Sequence, residues 1–395
     1  MAMASKILRS GYRRNCRIYI QTVFQSAFRS ISPEPSIISH HYSHRTSSSR
    51  SLFGIAFDID GVLLRGSKPI EGAPEALSQL YENAQPRVPF VFLTNGGGVL
   101  ESKKAFELSQ LLGVVVSETQ VLLGHTPFRK LVNSYGGVRT LAVGKGEPAS
   151  VLSGYGFQDV VSLDEYAFEH DDIDPLKQYK TWAPIRTAYS SQQREKKIGA
   201  VFVVSDPIDW GQDIQVICDV LRSGGEPENE SGPQPPLFFA ADDFLYQSLF
   251  PIARFGMGAF RLALESIFTR LTGNPLIYTS FGKPQASVYK DAERTLQHLA
   301  SEIIFKDIKF PSPDNLKEGL NTTYMIGDNP YTDICGARAA GAPWYSILVR
   351  TGCFKGKEND KCFPAGCRQC TRSSRIYIAA RRCMLNFFST SILSL

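Results

Sequence analysis

The chain has 395 residues, 43% hydrophobic and 21% charged, a globular composition with room for more than one domain. Its net charge of +5 is unevenly spread: residues 1–50 carry roughly +7 and residues 361–395 roughly +6, leaving the body between them at roughly −8. So acidic a body excludes nucleic acid as the expected partner, and the sequence has no apolar run long enough for a membrane-spanning helix.

The head comes first. It carries Arg9, Arg13, Arg14, Arg17 and Arg29, many serines and no acid before Glu34. Leu8, Tyr12, Ile18, Ile20, Val23, Phe24 and Phe28 can line one face of a broken helix. Such a segment predicts an organellar transit peptide, mitochondrial rather than plastid because arginine outweighs serine and threonine. A Ser- and His-rich linker completes residues 1–50.

The fold proper starts with an apolar strand, Phe53–Phe57, that ends in Asp58 and Asp60, with Gly61 as the turn. A helix is expected over residues 74–84 and a second strand from Val88 to Leu93, ending in Thr94, Asn95 and three glycines. Residues 101–113 then repeat Ala105, Leu108, Leu111 and Leu112 on one helical face. Strand, turn and helix repeated in this way predict a parallel α/β sheet whose ligands lie at the carboxyl ends of the strands. The interval 118–272 has βα units of its own, with strands in 138–145, 196–210 and 235–243 and helices over 213–224 and 256–273. It reads as a second domain inserted into the first, so residues 51–117 and 273–356 form the two parts of one core. In the second part, a strand over Tyr324–Ile326 leads to a loop, residues 327–333, and a helix, and a last strand follows at 346–352.

Four pieces stand at strand ends or helix starts: Asp58-Ile-Asp60-Gly, Thr94-Asn95-Gly96, Gly-Lys283-Pro and Gly-Asp328 with Asp333. Together they suit phosphoryl transfer through a carboxylate. Asp58 would attack phosphorus, and Asp60 would protonate the leaving oxygen and then activate water. Asp58 and Asp328 would hold Mg²⁺, with only the backbone carbonyl of Asp60 facing it, and Asp333 would support that shell. Thr94, Asn95 and Gly96 would bind phosphate oxygens, and Lys283 would neutralise growing charge. The cation removes the repulsion that otherwise makes paired acids costly.

These four motifs, in this order, resemble the haloacid dehalogenase-like hydrolase superfamily. The large insertion resembles its class IIA members, which include phosphoglycolate- and pyridoxal-phosphate-type phosphatases, and the likeness extends over residues 52–356 to a mitochondrial subgroup. The resemblance implies a Rossmann-like α/β core with an inserted α/β cap, and a Mg²⁺-dependent phosphatase acting on a small phosphorylated substrate. A homodimer through the cap is a further expectation. Asp60 favours a phosphatase over a dehalogenase, which needs no second acid. The alternative is a weak or inactive protein of the same fold, linked to mitochondrial glycerophospholipid metabolism.

The cap should set the substrate, and Asp206, Asp242, Asp243, Arg254 and Met257 stand in the loops expected to face the core. His125 reads as a structural histidine. The tail, residues 357–395, departs from the family pattern, is expected to be disordered and should leave the strand at 346–352 with an open edge. Its cysteines, Cys362, Cys367, Cys370 and Cys383, are irregularly spaced with no histidine, so no zinc site is expected.

Overall fold

Every residue from Gly54 to Phe57 is buried, which is how a strand covered on both faces reads. The structure, a computed structural model, describes residues 53–170, 173–180, 196–226, 229–307, 320–356 and 376–379, all within the unit Ser51–Leu395. The expected transit peptide and the tail cysteines lie outside the described residues.

The first part of the chain gives β1 (Phe53–Phe57), β2 (Phe90–Leu93) and β3 (Val121–Leu122). The insertion gives β4 (Arg139–Val143), β5 (Asp159–Ser162), β6 (Ala200–Val203), β7 (Leu237–Phe239), the short strands β8 (Leu245–Tyr246) and β9 (Arg254–Phe255), and β10 (Thr279–Ser280). The last part gives β11 (Thr322–Gly327), β12 (Trp344–Val349) and β13 (Ile376–Ala379). Two parallel sheets result. The core sheet runs β13-β12-β11-β1-β2-β3 and the cap sheet runs β10-β7-β6-β4-β5. β8 and β9 form an antiparallel hairpin.

Strand order reverses at β1, which has β2 on one side and β11 on the other. Phe57 registers with both Phe92 and Ile326, so the three central strands end level. An open parallel sheet offers its ligand crevice at such a reversal. One face of this sheet is packed by Phe57, Phe90 and Phe92, whose rings meet edge to face at 6.1 and 5.6 Å. The other is covered by Tyr289 and Leu296. The cap core centres on Phe202, ringed by Phe128, Phe157 and Phe238 at 4.9–5.1 Å between ring centroids. A fully buried aromatic side chain contributes about 2–3 kcal/mol, so each sheet has its own source of stability.

Two local expectations are corrected. The helix expected over 74–84 stops early: α1 is Ala73–Ser78, and Tyr81–Glu82 pairs back on Gln85–Pro86. Asn83 and Ala84 form that turn with φ of 51° and 61°, a conformation no helix contains. The second correction is at the tail. Ile376–Ala379 adds to β12 as a parallel strand, so β12 is not the sheet edge. By contrast α2 (Glu101–Leu112) buries Ala105, Leu108 and Leu112 as its periodicity predicts, and Gly113 ends it at φ 68°. The junctions between the sheets lie somewhat later than 118 and 272, because Val121–Leu122 still pairs in the core and Thr279–Ser280 still pairs in the cap.

Candidate active site

Asp58 follows β1, Thr94 follows β2 and Asp328 follows β11, so three adjacent strands deliver three polar side chains to one place. Asp333 comes from the turn Pro330–Ile334, which Asn329 opens by accepting from the Tyr331 amide. Tyr289, from the long helix Ala286–Asp307, fixes that turn by donating to the carbonyls of Thr332 and Asp333 at 3.0 Å each. Oxygens of Asp58, Asp328 and Asp333 all lie within 4.8 Å of one another, and all three residues are buried. Lys283 Nζ, 2% exposed, donates to Asp58 Oδ1 at 2.8 Å and to Asp333 Oδ1 at 2.6 Å.

One ammonium faces three carboxylates in a dry site. Burial pushes Asp58 above the usual carboxylate range, with Lys283 pulling the other way. Asp328 is pushed well above it by burial and then by Asp58 and Asp333, and Asp333 rises to about 6, chiefly through burial. Burial opposes the charge on Lys283, but Asp333 and Asp58 outweigh it and hold the ammonium well above the usual lysine range. Asp328 takes its hydrogen bond from the Cys353 amide. No side chain fits there: Gly61, at φ 84°, and Gly352 both bring their backbones against the Asp328 carboxylate. A buried set of oxygen donors with excess negative charge fits a hard divalent cation such as Mg²⁺.

Asp60 is half-buried, with Oδ2 3.6 Å from where a Cβ on Gly96 would stand. Burial raises it too, against Lys104, Lys145 and Lys283. Thr94 Oγ1 accepts from the Gly96 amide at 3.0 Å and so shapes the turn after β2. Asn95 grips the backbone of Lys283 on both sides: Oδ1 accepts from its amide at 2.7 Å and Nδ2 donates to its carbonyl at 2.9 Å. The Asn95 side chain therefore positions the lysine.

Residues 55–158 match the family described as haloacid dehalogenase-like hydrolase, and residues 280–367 match a second described as HAD-hydrolase-like. A mitochondrial hydrolase of Saccharomyces cerevisiae is 36% identical over 331 residues, 78% of this chain and 90% of the relative. The chain belongs to the haloacid dehalogenase-like hydrolase family. A Schizosaccharomyces pombe protein, a fusion of cardiolipin synthase with a mitochondrial hydrolase, is 33% identical over 323 residues, 78% of this chain and 49% of the fusion. A possible sugar phosphatase of Cytophaga hutchinsonii shares the fold with a TM-score of 0.50 at 16% identity, over 80% of this chain and 89% of its own.

In this haloacid dehalogenase-like hydrolase the cap residues divide. Asp243 reaches the site: Asn95 Nδ2 donates to its Oδ2 at 2.6 Å, and burial, against Lys283 and Asn95, pushes it up to about 7. Asp206 pairs with Lys145 at 2.8 Å, and both act on Asp60. Asp242 is held by Arg261 at 2.6 Å. Arg254 is exposed, with its guanidinium over the Phe250 ring at 4.7 Å. Met257 is buried in the cap core, where its Sδ accepts from the Ala241 amide. The structure thus brings Asp243 and Lys145 toward the carboxylates, while Asp242 and Met257 are engaged within the cap and Arg254 stays at the surface.

Sequence reading missed a buried network behind the glycine turn. Tyr155 donates to Glu101 Oε1 at 2.6 Å, Thr126 donates to the same oxygen at 2.7 Å, and Arg129 donates to Oε2 at 2.7 Å. His125, fully buried against Gly97, has Nδ1 2.7 Å from the Tyr155 hydroxyl. The tyrosine proton is committed to Glu101, so His125 Nδ1 is the donor in that contact. Burial lowers the imidazole from 6.5 to about 4, with Glu101 opposing. A lowered histidine contributes stability that is complete above pH 6.5 and is lost as pH falls toward 4, about 2 kcal/mol by pH 5. Unfolding of wild type and His125→Gln at pH 7 and pH 5 checks this: the wild-type advantage should shrink by about that amount. A gap that does not change with pH would mean that folding leaves the imidazole's pKa where it is in the unfolded chain.

Proposed function

We propose that this hydrolase is a Mg²⁺-dependent phosphatase that cleaves a small phosphorylated metabolite through an aspartyl phosphate on Asp58. The observation that carries the reading is the buried Asp58–Asp328–Asp333 cluster, with Lys283 fixed between two of its members at the ends of the central strands. Lys283 restricts rotation of the Asp58 carboxylate, which then forms the new bond to phosphorus as the bond to the leaving oxygen breaks. Asp60, whose neutral form burial favours, gives its proton to that oxygen. The resulting carboxylate takes a proton from water, water attacks phosphorus, and the bond to Asp58 breaks to release inorganic phosphate. Asp58, Asp328 and the Asp60 carbonyl would hold Mg²⁺, supported by Asp333, and the ion supplies charge neutralisation on the phosphoryl oxygens. Thr94 and the Asn95–Gly96 backbone line the phosphoryl position, and Asp243 and Asp206 present acid to the substrate's polar groups. The test is turnover of p-nitrophenyl phosphate by the full chain. It should require Mg²⁺ and stop on chelation; turnover indifferent to chelation overturns the reading.

A second reading is a weakly active protein of this fold tied to mitochondrial glycerophospholipid metabolism, favoured by one relative's fusion to a cardiolipin synthase. Robust turnover would set it aside. We also propose a mitochondrial location, supported by the relatives' names and the Arg-rich head. Residues 1–50 fused to a fluorescent protein should enter mitochondria, and a diffuse cytosolic signal would remove the transit-peptide assignment.

A further inference from the structure

The hairpin of β8 and β9 is a surface unlike the rest of the body. From Phe244 to Gly256 the chain has no acid and a single base, Arg254, although the body carries roughly −8. Phe244, Leu249, Phe250, Ile252 and Phe255 are each more than half exposed, from 51% at Phe244 and Leu249 to 67% at Ile252. They lie on one short hairpin, where the Phe244 and Phe255 rings meet at 5.9 Å and Arg254 lies over Phe250. Soluble proteins seldom show so many large apolar side chains together without a use for them.

The patch is held in shape. Gln247 is buried and donates to the carbonyls of Ser248 and Phe250 at 2.8 Å each, and Lys355 donates to its Oε1 at 3.3 Å. Asn329, next to Asp328, donates to the Leu245 carbonyl at 3.4 Å, and Leu249 packs on Gly66. The hairpin therefore leaves the cap, meets the core beside the carboxylate site and presents a backbone already held in place, which lowers the entropy cost of docking.

We propose that this hairpin docks the protein on an anionic phospholipid bilayer. Aromatic and aliphatic side chains around one arginine suit the boundary between acyl chains and headgroups, where the rings bury and the guanidinium meets phosphate. The charge of this segment, not the net charge of the body, decides against a second copy. A two-fold contact centred on the hairpin sets Arg254 against Arg254, whereas an anionic surface complements it. Docking there also brings a layer of phosphate esters to the mouth of the site. The inference rests on the hairpin, not on the catalytic reading.

The test is co-sedimentation of the full chain with vesicles of phosphatidylcholine alone or with added phosphatidylglycerol. The basic head and tail are the same in all variants, so the comparison is wild type against the Phe250→Ser, Ile252→Ser double variant, with matching thermal midpoints as the folding control. Binding should fall roughly tenfold or more in the double variant. Arg254→Gln should lose much of the preference for phosphatidylglycerol. Emission of a Phe250→Trp variant, less the wild-type background, should shift to shorter wavelength on adding vesicles. Equal binding by wild type and double variant, or an unshifted signal from the introduced indole, overturns the proposal. So does a concentration-dependent dimer that the double variant abolishes without any change in vesicle binding, because it assigns the patch to a second copy.

Discussion

Asp58→Asn is expected to reduce phosphatase turnover by roughly four orders of magnitude or more while leaving the fold intact. An amide cannot form the bond to phosphorus, so the loss falls on the chemical step and not on substrate affinity. The fold should survive because the substituted side chain keeps an oxygen for Lys283 Nζ, now 2.8 Å from Asp58 Oδ1. Removing one of three crowded carboxylates also relieves repulsion on Asp328, which Asp58 and Asp333 push upward. Without metal the variant should therefore melt no lower than wild type. Asp60→Asn should behave differently, slowing both the transfer and the hydrolysis while divalent cation binding largely persists, because only its carbonyl would face the ion. Turnover and melting measured on the same preparations check both statements. Wild-type turnover in Asp58→Asn would remove the aspartyl-phosphate mechanism.

The clustered carboxylates were legible because the sequence places Asp58 and Asp328 each at the end of an apolar run. The parallel-sheet rule then placed the runs side by side, which the register of Phe57 with Phe92 and Ile326 bears out. What stayed hidden depends on pairing across distance. Nothing in "LTNGGG" tells that the Asn95 side chain will hold the Lys283 backbone, 188 residues away. The link from Glu101 to Tyr155 and His125 was equally invisible, since "GHTPF" and "GYGF" carry no periodicity that joins them. Composition misled twice. Ala, Leu and Glu argued for helix through residue 84, yet Asn83 turns the chain back. The tail looked unsuited to the core, yet its short apolar run Ile376–Ala379 is enough to pair with β12. Among the cap acids, local pattern could not separate Asp243, which reaches Asn95, from its neighbour Asp242, which Arg261 holds.

Lys283→Met should be the most destabilising single change at the site, by about 3–5 kcal/mol in the absence of divalent cation. Methionine matches the length of the lysine stem but leaves Asp58 and Asp333 without the ammonium that bonds both. The acids then face each other and Asp328 in a dry pocket, where an uncompensated charge costs stability. Two conditions should soften the loss. Saturating Mg²⁺ supplies positive charge to the same carboxylates and should recover part of it. Falling pH should do likewise: Asp333 already sits near 6 with the lysine present and rises further without it, so the variant takes up protons on its acids at higher pH than wild type does. The gap between wild type and variant should therefore be widest at pH 8 without metal and narrow toward pH 5. Denaturant unfolding at both pH values, with and without Mg²⁺, measures it. A variant as stable as wild type at pH 8 without metal would mean that water, not Lys283, compensates these carboxylates, and the dry site inferred from their burial would fall with it.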